Sequence, residues 1–506
     1  MSGTQLARVY TLNLEALHVI VIVMSEGRRY RKERSGLSMK EFRSLLSRIV
    51  TGSSGEENTM RLSRRRFFVT AAALGASALL GACGGTATPT PAPQPTPTPA
   101  PTGQQPAATP TPAPAPAGSP TVVATQPAKK LRIGCAVSLS GVFAAGADVT
   151  IVKAYKLWQD DVNKAGGFQL ADGRYEVEIV WADDQSNPEE CIRQVQRLIT
   201  QEKVDFLIPP YSTGINHAVA PIFHQNGYPQ IAVATWVTEE DAKRFPYFVS
   251  FLGRPEQYSE EGIVGLLTYL NQQGKIGKRV ALPYVDAEFA LDFVKPLRPA
   301  LQAAGFEIVY DQGYPMEVSD MQSIVTEIMR RNPDAIIGIT YPNDTMLYVP
   351  PMKVLGFNPP LLFLANGPNY YFFYGTYADD AEGVMGLGGI DVRNQQLVDF
   401  YKRFAAFNGT EADRWGGHVY YVVGQVIQQA FERVGKIDRK AIGDEILQGT
   451  FDTIMGKVKL TGNAFLGNWL IGQWQRQPDG KLEYVAIMPR DRSGAEPLVP
   501  KPTWKT

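Results

Sequence analysis

From residue 131 onward the chain alternates short apolar runs with stretches whose apolar residues recur every three or four positions. Residues 131–139 read as a buried strand. The stretch after it predicts a helix with one apolar face, formed by Ile151, Ala154, Tyr155, Trp158 and Val162. Further strands are predicted over 175–181, 204–208 and 229–234, and a helix capped by Asn187 is predicted between the first two. Strands alternating with helices predict a parallel sheet covered on both faces.

The same pattern starts again near residue 279. Strands are predicted over 279–284 and 306–310, with a helix over 293–304 between them. A further helix is marked by the apolar residues Met321, Ile324, Val325, Ile328 and Met329. Residues 204–208 and 333–337 occupy matching places, each as a strand that follows a helix. The fold class is therefore predicted as α/β, with two similar lobes in tandem and a cleft at the carboxyl ends of their strands.

The region before the first lobe carries export signals. Residues 60–83 contain Ser63 and three arginines followed by two phenylalanines, which resembles the twin-arginine export motif, and end in Leu-Gly-Ala-Cys, which resembles a lipoprotein lipobox. An amphipathic surface helix is the alternative. On the lipoprotein interpretation, Cys83 carries the lipid and anchors the protein outside the cytoplasm. Residues 84–130, nearly all Pro, Thr and Ala in their central part, predict an extended stalk.

Met60 stands directly before this signal. We therefore expect translation to start at Met60 and residues 1–59 to be a mis-assigned extension, with a genuine cytoplasmic extension as the alternative. The apolar patch 17–24 is too short to span a membrane.

The composition and the motifs of the chain limit the classes of function that the protein can have. The chain has 506 residues, and its 50 basic residues balance its 50 acidic ones, so nothing points to nucleic acid. Ser212 does not lie in a G-x-S-x-G elbow, and His217 and His224 are expected to be solvated or capping side chains. We expect no enzymatic activity, no cofactor and no metal. Cys135 and Cys191 are expected to be buried free thiols, with a disulfide as the alternative.

One turn has the chemistry of a binding site. Ser212 and Thr213 follow the strand at 204–208, and a helix is predicted to begin near Gly214. Their hydroxyls and the free N–H groups of the first turn suit a carboxylate. Ordinary N-capping is the alternative, and from these residues alone it is the favoured one.

Several segments resemble the type I periplasmic binding proteins of the branched-chain amino-acid transport kind. The markers are residues 133–141, 163–167, 182–188, 211–214, 332–334 and 455–460. The resemblance covers about 131–480 and implies two Rossmann-like lobes joined by three crossovers, an N-terminal lobe of 131–252 plus 391–450 and a C-terminal lobe of 253–390 plus 451–506. It also implies a monomer that delivers an amino acid, or a related carboxylate or amide, to an ABC transporter permease. A sensing receptor of the same fold, acting through a membrane partner, is the alternative.

The resemblance also implies which residues contact the ligand. In the first lobe these are Tyr211, Ser212, Thr213, Ala234, Thr235 and Trp236, and in the second they are Phe289, Tyr341 and Asn369. Amino-acid binders of this family usually carry an acidic residue after the strand near Leu364, to pair with the ammonium of the ligand. Residues 365–374 contain no acid, although Asn366 or Asn369 could accept a hydrogen bond there, and Glu288 or Glu382 could substitute from elsewhere. The aromatic residues 370–374 suggest a bulky or ring-bearing ligand, with packing of the loop on its own lobe as the alternative.

Overall fold

The computed structural model describes residues 8–14, 17–23, 128–467 and 469–505. The predicted export signal, Cys83 and most of the predicted stalk lie outside these residues. The chain divides into two units, 1–118 and 119–506. In the first unit, strands β1 (Arg8–Leu14) and β2 (Leu17–Val23) form an antiparallel pair. None of the helices in the described ranges is both long enough and apolar enough to cross a membrane.

The second unit begins with a sheet in the order β4-β5-β3-β6. Its strands, and the parallel pair β7 and β8 that follows them, are β3 (Lys129–Val137), β4 (Phe168–Leu170), β5 (Gly173–Asp183), β6 (Phe206–Ile208), β7 (Gln230–Ala232) and β8 (Phe248–Ser250). β3 lies parallel to both neighbours, whereas β4 is antiparallel to β5. β3 begins two residues inside the predicted stalk, because Lys129 and Lys130 continue its pairing with β5.

The helices of this first lobe cover both faces of its sheet. They are α1 (Ala144–Ala147), which continues through the π-helical turn Asp148–Val152 into α2 (Lys153–Lys164), then α3 (Pro188–Thr200), α4 (Thr213–Gln225) and α5 (Glu239–Arg244). The predicted cap of α3 is confirmed, since the Asn187 side chain accepts a hydrogen bond from the N–H of Glu190 at 3.0 Å. Cys135 and Cys191 are free and buried, as predicted.

The second lobe is built on a seven-stranded sheet. Ahead of its first strand lie a π-helical segment (Gln257–Val264) and α6 (Gly265–Gln272). The remaining strands of the chain are β9 (Arg279–Val285), β10 (Glu307–Tyr314), β11 (Ala335–Gly338), β12 (Leu361–Leu364), β13 (Met385–Leu387), the hairpin β14 (Thr450–Thr453) and β15 (Gly456–Lys459), β16 (Ile471–Arg476) and β17 (Leu482–Met488). The order of the large sheet is β10-β9-β11-β12-β13-β16-β17, and only β16 runs against the common direction of its strands. Each lobe thus has a largely parallel sheet with one antiparallel strand, β4 in the first and β16 in the second.

Helices α7 to α11 pack on the second sheet. They are α7 (Glu288–Ala303), α8 (Gln322–Arg330), α9 (Pro342–Thr345), α10 (Val349–Val354) and α11 (Tyr371–Tyr377), the last followed by a 3-10 turn (Ala378–Ala381). α7 begins five residues before its predicted start at 293, because Phe289 and Ala290 extend its buried face toward the N-terminus.

The last three helices return to the first lobe. They are α12 (Gln395–Asn408), α13 (Gly416–Val434) and α14 (Arg439–Gln448). α13 crosses α2 so closely that a Cβ on Gly424 would lie 2.6 Å from the Trp158 ring. Arg403 of α12 also forms an ion pair with Asp161 of α2 at 2.6 Å. The chain therefore crosses from one lobe to the other after β8, after β13 and between β15 and β16. The exact lobe boundaries given above stay a prediction.

Candidate ligand-binding site

The carboxyl end of β6 leads into the first turn of α4. Ser212 is the N-cap, and its hydroxyl accepts a hydrogen bond from the N–H of Ile215 at 3.4 Å. Thr213 is fully buried, yet its hydroxyl has no hydrogen-bond partner among the described residues. Leaving a buried hydroxyl unpaired costs about 1–3 kcal/mol. Capping thus accounts for Ser212, whereas the Thr213 hydroxyl remains available to a polar group placed at the positive end of the helix.

Ser212 has a backbone conformation that is unusual for a residue with a side chain. Its φ is 72° and its ψ is 149°. This lies close to a region that is otherwise occupied almost entirely by glycine, and holding a serine there costs of order 1–3 kcal/mol. Such strain is found preferentially at ligand-binding positions.

A continuous row of aromatic rings connects this turn to the second lobe. Tyr211 contacts Phe143 with ring centroids 5.9 Å apart, and Phe143 contacts Tyr341 at 5.2 Å. Tyr341 then meets Phe289 at 5.6 Å, and Phe289 stacks on Trp236 at 5.6 Å with only 7° between the ring planes. Tyr211, Phe143 and Trp236 belong to the first lobe, and Tyr341 and Phe289 to the second. These aromatic side chains therefore pack across the contact between the lobes.

Two hydroxyl groups also meet across this contact. The Tyr211 and Tyr370 hydroxyl oxygens lie 3.2 Å apart, and both residues are buried. Burial raises the pKa of Tyr211 to about 12, so its hydroxyl keeps its proton. A Cβ on Gly146 would lie 2.9 Å from the Tyr211 hydroxyl oxygen, which shows how closely the helix after β3 approaches this point.

The polar groups of the loop after β7 form hydrogen bonds within the protein. The Thr235 hydroxyl donates to the carbonyl of Trp236 at 3.0 Å, and the Thr235 carbonyl accepts from the Ser250 hydroxyl at 2.8 Å. The Trp236 indole N–H donates to the carbonyl of Phe289 at 3.1 Å. Trp236 thus joins this loop to α7. Ala234 is buried beside it.

On the second-lobe side, the turn after β12 presents two asparagines. Asn366 is 4% exposed, and its side chain lies close enough to the Tyr211 hydroxyl to oppose the rise in the pKa of that group. Its side-chain oxygen has no partner within the described ranges, and neither has the side-chain nitrogen of the fully buried Asn369. The Asn369 oxygen accepts from the N–H of Gly367 at 2.9 Å, which orders the turn.

The turn backbone is rigidly held. The Asn366 carbonyl accepts hydrogen bonds from the hydroxyls of Thr345 at 2.7 Å and Thr340 at 3.3 Å. Gly367 has a φ of 142°, and a Cβ there would lie 2.5 Å from Thr345. Glycine is therefore required at position 367, and the backbone on both sides of the Asn366 side chain is held in place.

Two buried carboxylates near the contact, Asp413 and Asp344, are held by hydrogen bonds. Asp413 accepts from the N–H groups of Trp415, Gly416 and Gly417 at the start of α13, and burial raises its pKa to about 6. Asp344 accepts from the Tyr314 hydroxyl at 2.5 Å and from the N–H of Tyr341 at 2.9 Å, and burial raises its pKa to about 7.

Glu483 belongs to a buried cluster around Arg414. It accepts from Arg414 Nε at 3.0 Å, and the guanidinium lies over the Tyr371 and Tyr401 rings at 4.4 and 4.2 Å. Because Arg414 follows α12 of the first lobe while Glu483 lies on β17 of the second sheet, this ion pair also joins the lobes.

His217 pairs with Glu288 across the lobes. His217 on α4 places Nδ1 2.5 Å from a carboxylate oxygen of Glu288 on α7, and its Nε2 lies 3.0 Å from the Trp236 carbonyl. Burial alone lowers the pKa of His217, but the hydrogen bond and charge of Glu288 outweigh it and raise that pKa above its ordinary value. The prediction that His217 is a solvated or capping histidine is wrong, because α7 brings a carboxylate to it from 71 residues further along the chain. His224 is exposed, as that prediction states.

This architecture matches a known family. A profile described as periplasmic binding protein matches residues 130–481, well over half of the 506 residues. The chain belongs to the periplasmic binding protein family. The resemblance inferred from the sequence is therefore confirmed.

Relatives of this periplasmic binding protein include a Leu/Ile/Val-binding protein homolog 8 from Brucella abortus. The two are 22% identical over 254 residues, which cover 49% of this chain and 61% of the relative. The match thus spans less than two thirds of the length of that relative.

Solved structures confirm the fold. One is the substrate-binding protein of a branched-chain amino acid transporter from Streptococcus pneumoniae in complex with isoleucine, with a TM-score of 0.58 and 20% identity over 71% of this chain and 100% of that one. Another is a solute-binding protein of an ABC transporter from Rhodopseudomonas palustris in complex with 3,4-dihydroxybenzoic acid, with a TM-score of 0.60 and 18% identity over 74% of this chain and 98% of that one.

The structure of this periplasmic binding protein brings most of the predicted contact residues to one interlobe region. Tyr211, Trp236, Phe289 and Tyr341 share the row of rings, and Ser212 and Thr213 adjoin it. The Thr235 hydroxyl instead donates a hydrogen bond to the carbonyl of the neighbouring Trp236. That these residues bind a ligand stays a prediction.

Sequence reasoning missed two residues there, Phe143 and His217, as parts of this region. Phe143 could have been found, because it follows the carboxyl end of the first predicted strand, where ligand-facing residues of parallel sheets collect. The partners of Tyr370 and His217 lie on the other lobe, and no local pattern identifies them.

Proposed function

We propose that this protein is an extracytoplasmic solute receptor that binds a small carboxylate between its lobes and delivers it to an ABC transporter. The observation that carries the proposal is the first turn of α4, where a helix N-terminus and the unpaired Thr213 hydroxyl are buried beneath the second lobe. A carboxylate placed there would pair the hydroxyl and the N–H groups together.

The ligand is a small molecule of the amino acid, carboxylate or amide class. Charge-assisted hydrogen bonds to a carboxylate are about twice as strong as neutral ones, so this group supplies most of the orientation. The aromatic row supplies an apolar wall beside it. The isoleucine and dihydroxybenzoate complexes of structural relatives are both carboxylate complexes, which supports this class.

Transport follows from closure of the lobes. The contacts of Tyr211 with Tyr370 and of His217 with Glu288 join different lobes, so they form only when the lobes are together. A ligand that touches both lobes stabilises the closed form by its differential affinity for that form. A permease that recognises the closed form would then receive loaded receptor in preference to empty receptor.

Membrane attachment through Cys83 is part of the proposal. The lipobox-like sequence and the Pro-, Thr- and Ala-rich residues after it support a lipid-anchored protein held away from the membrane. Mass spectrometry of the protein purified from its own cells should find a diacylglycerol modification on Cys83 as the mature N-terminus. An unmodified residue 83 inside a longer chain would contradict this part alone.

The function is tested by a thermal-shift screen of the full chain against amino acids, aliphatic and aromatic carboxylates, amides and ureas. A ligand that binds only the folded state raises the unfolding temperature in proportion to the logarithm of its concentration above its Kd. We expect concentration-dependent stabilisation by one or more carboxylates. Stabilisation only by compounds without a carboxylate, or turnover of a bound compound, would contradict the proposal.

A further inference from the structure

Four of the described carboxylates around the contact between the lobes are already engaged. Asp413 is held by three backbone N–H groups, and Asp344 by Tyr314 and the backbone of Tyr341. Glu483 is paired with Arg414, and Glu288 with His217. An ammonium group that paired with one of these four would have to displace an existing partner, and an ammonium enclosed without a carboxylate would be a buried unpaired charge, which costs several kcal/mol.

A neutral acceptor is present instead. The side-chain oxygen of Asn366 is buried and has no partner in the described part of the chain. The same side chain lies near enough to the hydroxyl of Tyr211, the residue directly before Ser212, to influence the pKa of that hydroxyl. Asn366 thus lies opposite the turn that would hold the carboxylate, within reach of a second polar group on a small ligand.

The backbone that carries the Asn366 side chain is held in place. Its backbone carbonyl is fixed by Thr340 and Thr345, and Gly367 packs against Thr345. Since a buried acceptor without a donor is unfavourable, the position selects ligands that bring a hydrogen to it. A hydroxyl or amide N–H does so without the desolvation penalty of an ammonium.

We propose that Asn366 sets the specificity of the cleft for carboxylates whose second polar group is a neutral hydrogen-bond donor, a hydroxyl or an amide, in preference to α-amino acids. This inference rests on the proposed function of the cleft. The row of rings formed by Phe143, Tyr341 and Phe289 adds a preference for hydroxy acids that carry an aromatic ring.

The test is calorimetric titration of the full chain with two matched pairs of ligands. One pair is L-leucine and L-2-hydroxy-4-methylpentanoate, and the other is L-phenylalanine and L-3-phenyllactate. Within each pair only the ammonium is exchanged for a hydroxyl. We expect each hydroxy acid to bind at least about tenfold more tightly than its amino acid, with the phenyl pair the tighter of the two.

Replacement of the acceptor identifies the responsible residue. The Asn366→Asp variant supplies a carboxylate at the same position and should shift the ratio toward the amino acid by about tenfold or more. Asn366→Leu should remove the preference for the hydroxyl. Asn187→Asp is the matched control, since it adds the same charge at an exposed helix cap that tolerates aspartate, and its ratio should equal that of the wild type.

The outcomes separate the inference from the function on which it rests. Equal or tighter binding of the amino acids by the wild-type chain overturns the inference and leaves the receptor function intact. Loss of amino-acid binding in Glu288→Gln would then identify Glu288 as the ammonium partner. An unchanged ratio in Asn366→Asp, with an unfolding temperature close to that of the wild type, overturns the role of Asn366. Failure of all four compounds and of every carboxylate in the thermal screen overturns both proposals.

Discussion

At the scale of single residues, Ser212 combines two opposing contributions to stability. Its hydroxyl caps α4, which is worth about 1 kcal/mol, while its φ of 72° is costly for any residue with a Cβ. Burial of the neighbouring Tyr211 and Thr213 holds it in this conformation. This backbone conformation directs the first turn of α4 toward the second lobe.

The Ser212→Gly and Ser212→Ala variants should therefore differ in stability. Both lose the cap, but only glycine relieves the strain, so we expect Ser212→Gly to be more stable than Ser212→Ala by about 1 kcal/mol or more. Thermal or urea unfolding measures the difference. Ser259 is the control, because it lies in a helical segment where glycine should instead be about 1 kcal/mol less stable than alanine. The same order at both positions would show that Ser212 is not strained.

The carboxylate site itself depends on two hydroxyls. Replacing Ser212 and Thr213 together with alanine should weaken the best carboxylate ligand of the screen by about 1–3 kcal/mol, roughly five- to 150-fold in Kd. Titration calorimetry measures this change. Thr326→Ala removes an exposed hydroxyl that bonds its own helix, and it should leave Kd unchanged. Equal affinity in the double variant and the wild type would move the binding site elsewhere.

Part of this site can be predicted from local sequence rules. The end of β6, the cap at Ser212 and the start of α4 follow from an apolar run, a pair of prolines and two hydroxyl residues. The partners of these residues do not follow, because Tyr370 approaches Tyr211 from 159 positions away. The unpaired oxygen of Asn366 likewise becomes visible only once its surroundings are known.

At the scale of elements, α4 and α7 are joined by the pair of His217 and Glu288. Both ring nitrogens of His217 face acceptors, so both bonds require the protonated ring. The other acidic groups facing it are Asp241 of α5, 3.9 Å away, and Asp292 of α7, whose pKa is raised by burial first and then by the charge of Glu288. Since α4 and α7 belong to different lobes, closure supplies the partner of His217.

Ligand affinity should therefore depend on pH. Below about pH 6.5 His217 is charged with the lobes open or closed, and the pair contributes fully to closure. As pH rises through the raised pKa of the closed form, the proton is lost and affinity should fall by roughly two- to fivefold, the size expected for a partly exposed pair. Titrations between pH 5.5 and 9 measure this profile.

Two variants separate this pair from other titrating groups. Glu288→Gln should flatten the profile, because in this variant closure no longer brings a negative charge to the protonated His217 ring. His224→Gln removes an exposed histidine on the same helix and should keep the wild-type profile. A profile that is unaltered in Glu288→Gln, or an affinity that rises with pH, would contradict the role of the pair.

At the scale of the whole molecule, the alternation of strands and helices predicted two α/β lobes, and the family match and solved relatives confirm that fold. Each sheet also contains one antiparallel strand, β4 in the first lobe and β16 in the second, that the alternation of strands and helices did not predict. How the lobes meet could not be predicted, since it depends on many side chains that are distant in sequence and become neighbours only on closure.

The central claim is that a carboxylate binds at the start of α4 between the lobes. A crystal structure of the full chain with the tightest-binding carboxylate of the screen tests it most directly. We predict that the carboxylate lies about 3 Å from the Thr213 hydroxyl and the first N–H groups of α4, with the rest of the ligand touching both lobes. A carboxylate bound elsewhere, such as in the surface groove lined by Tyr284, Asp286 and Met316, or touching only one lobe, would contradict the account.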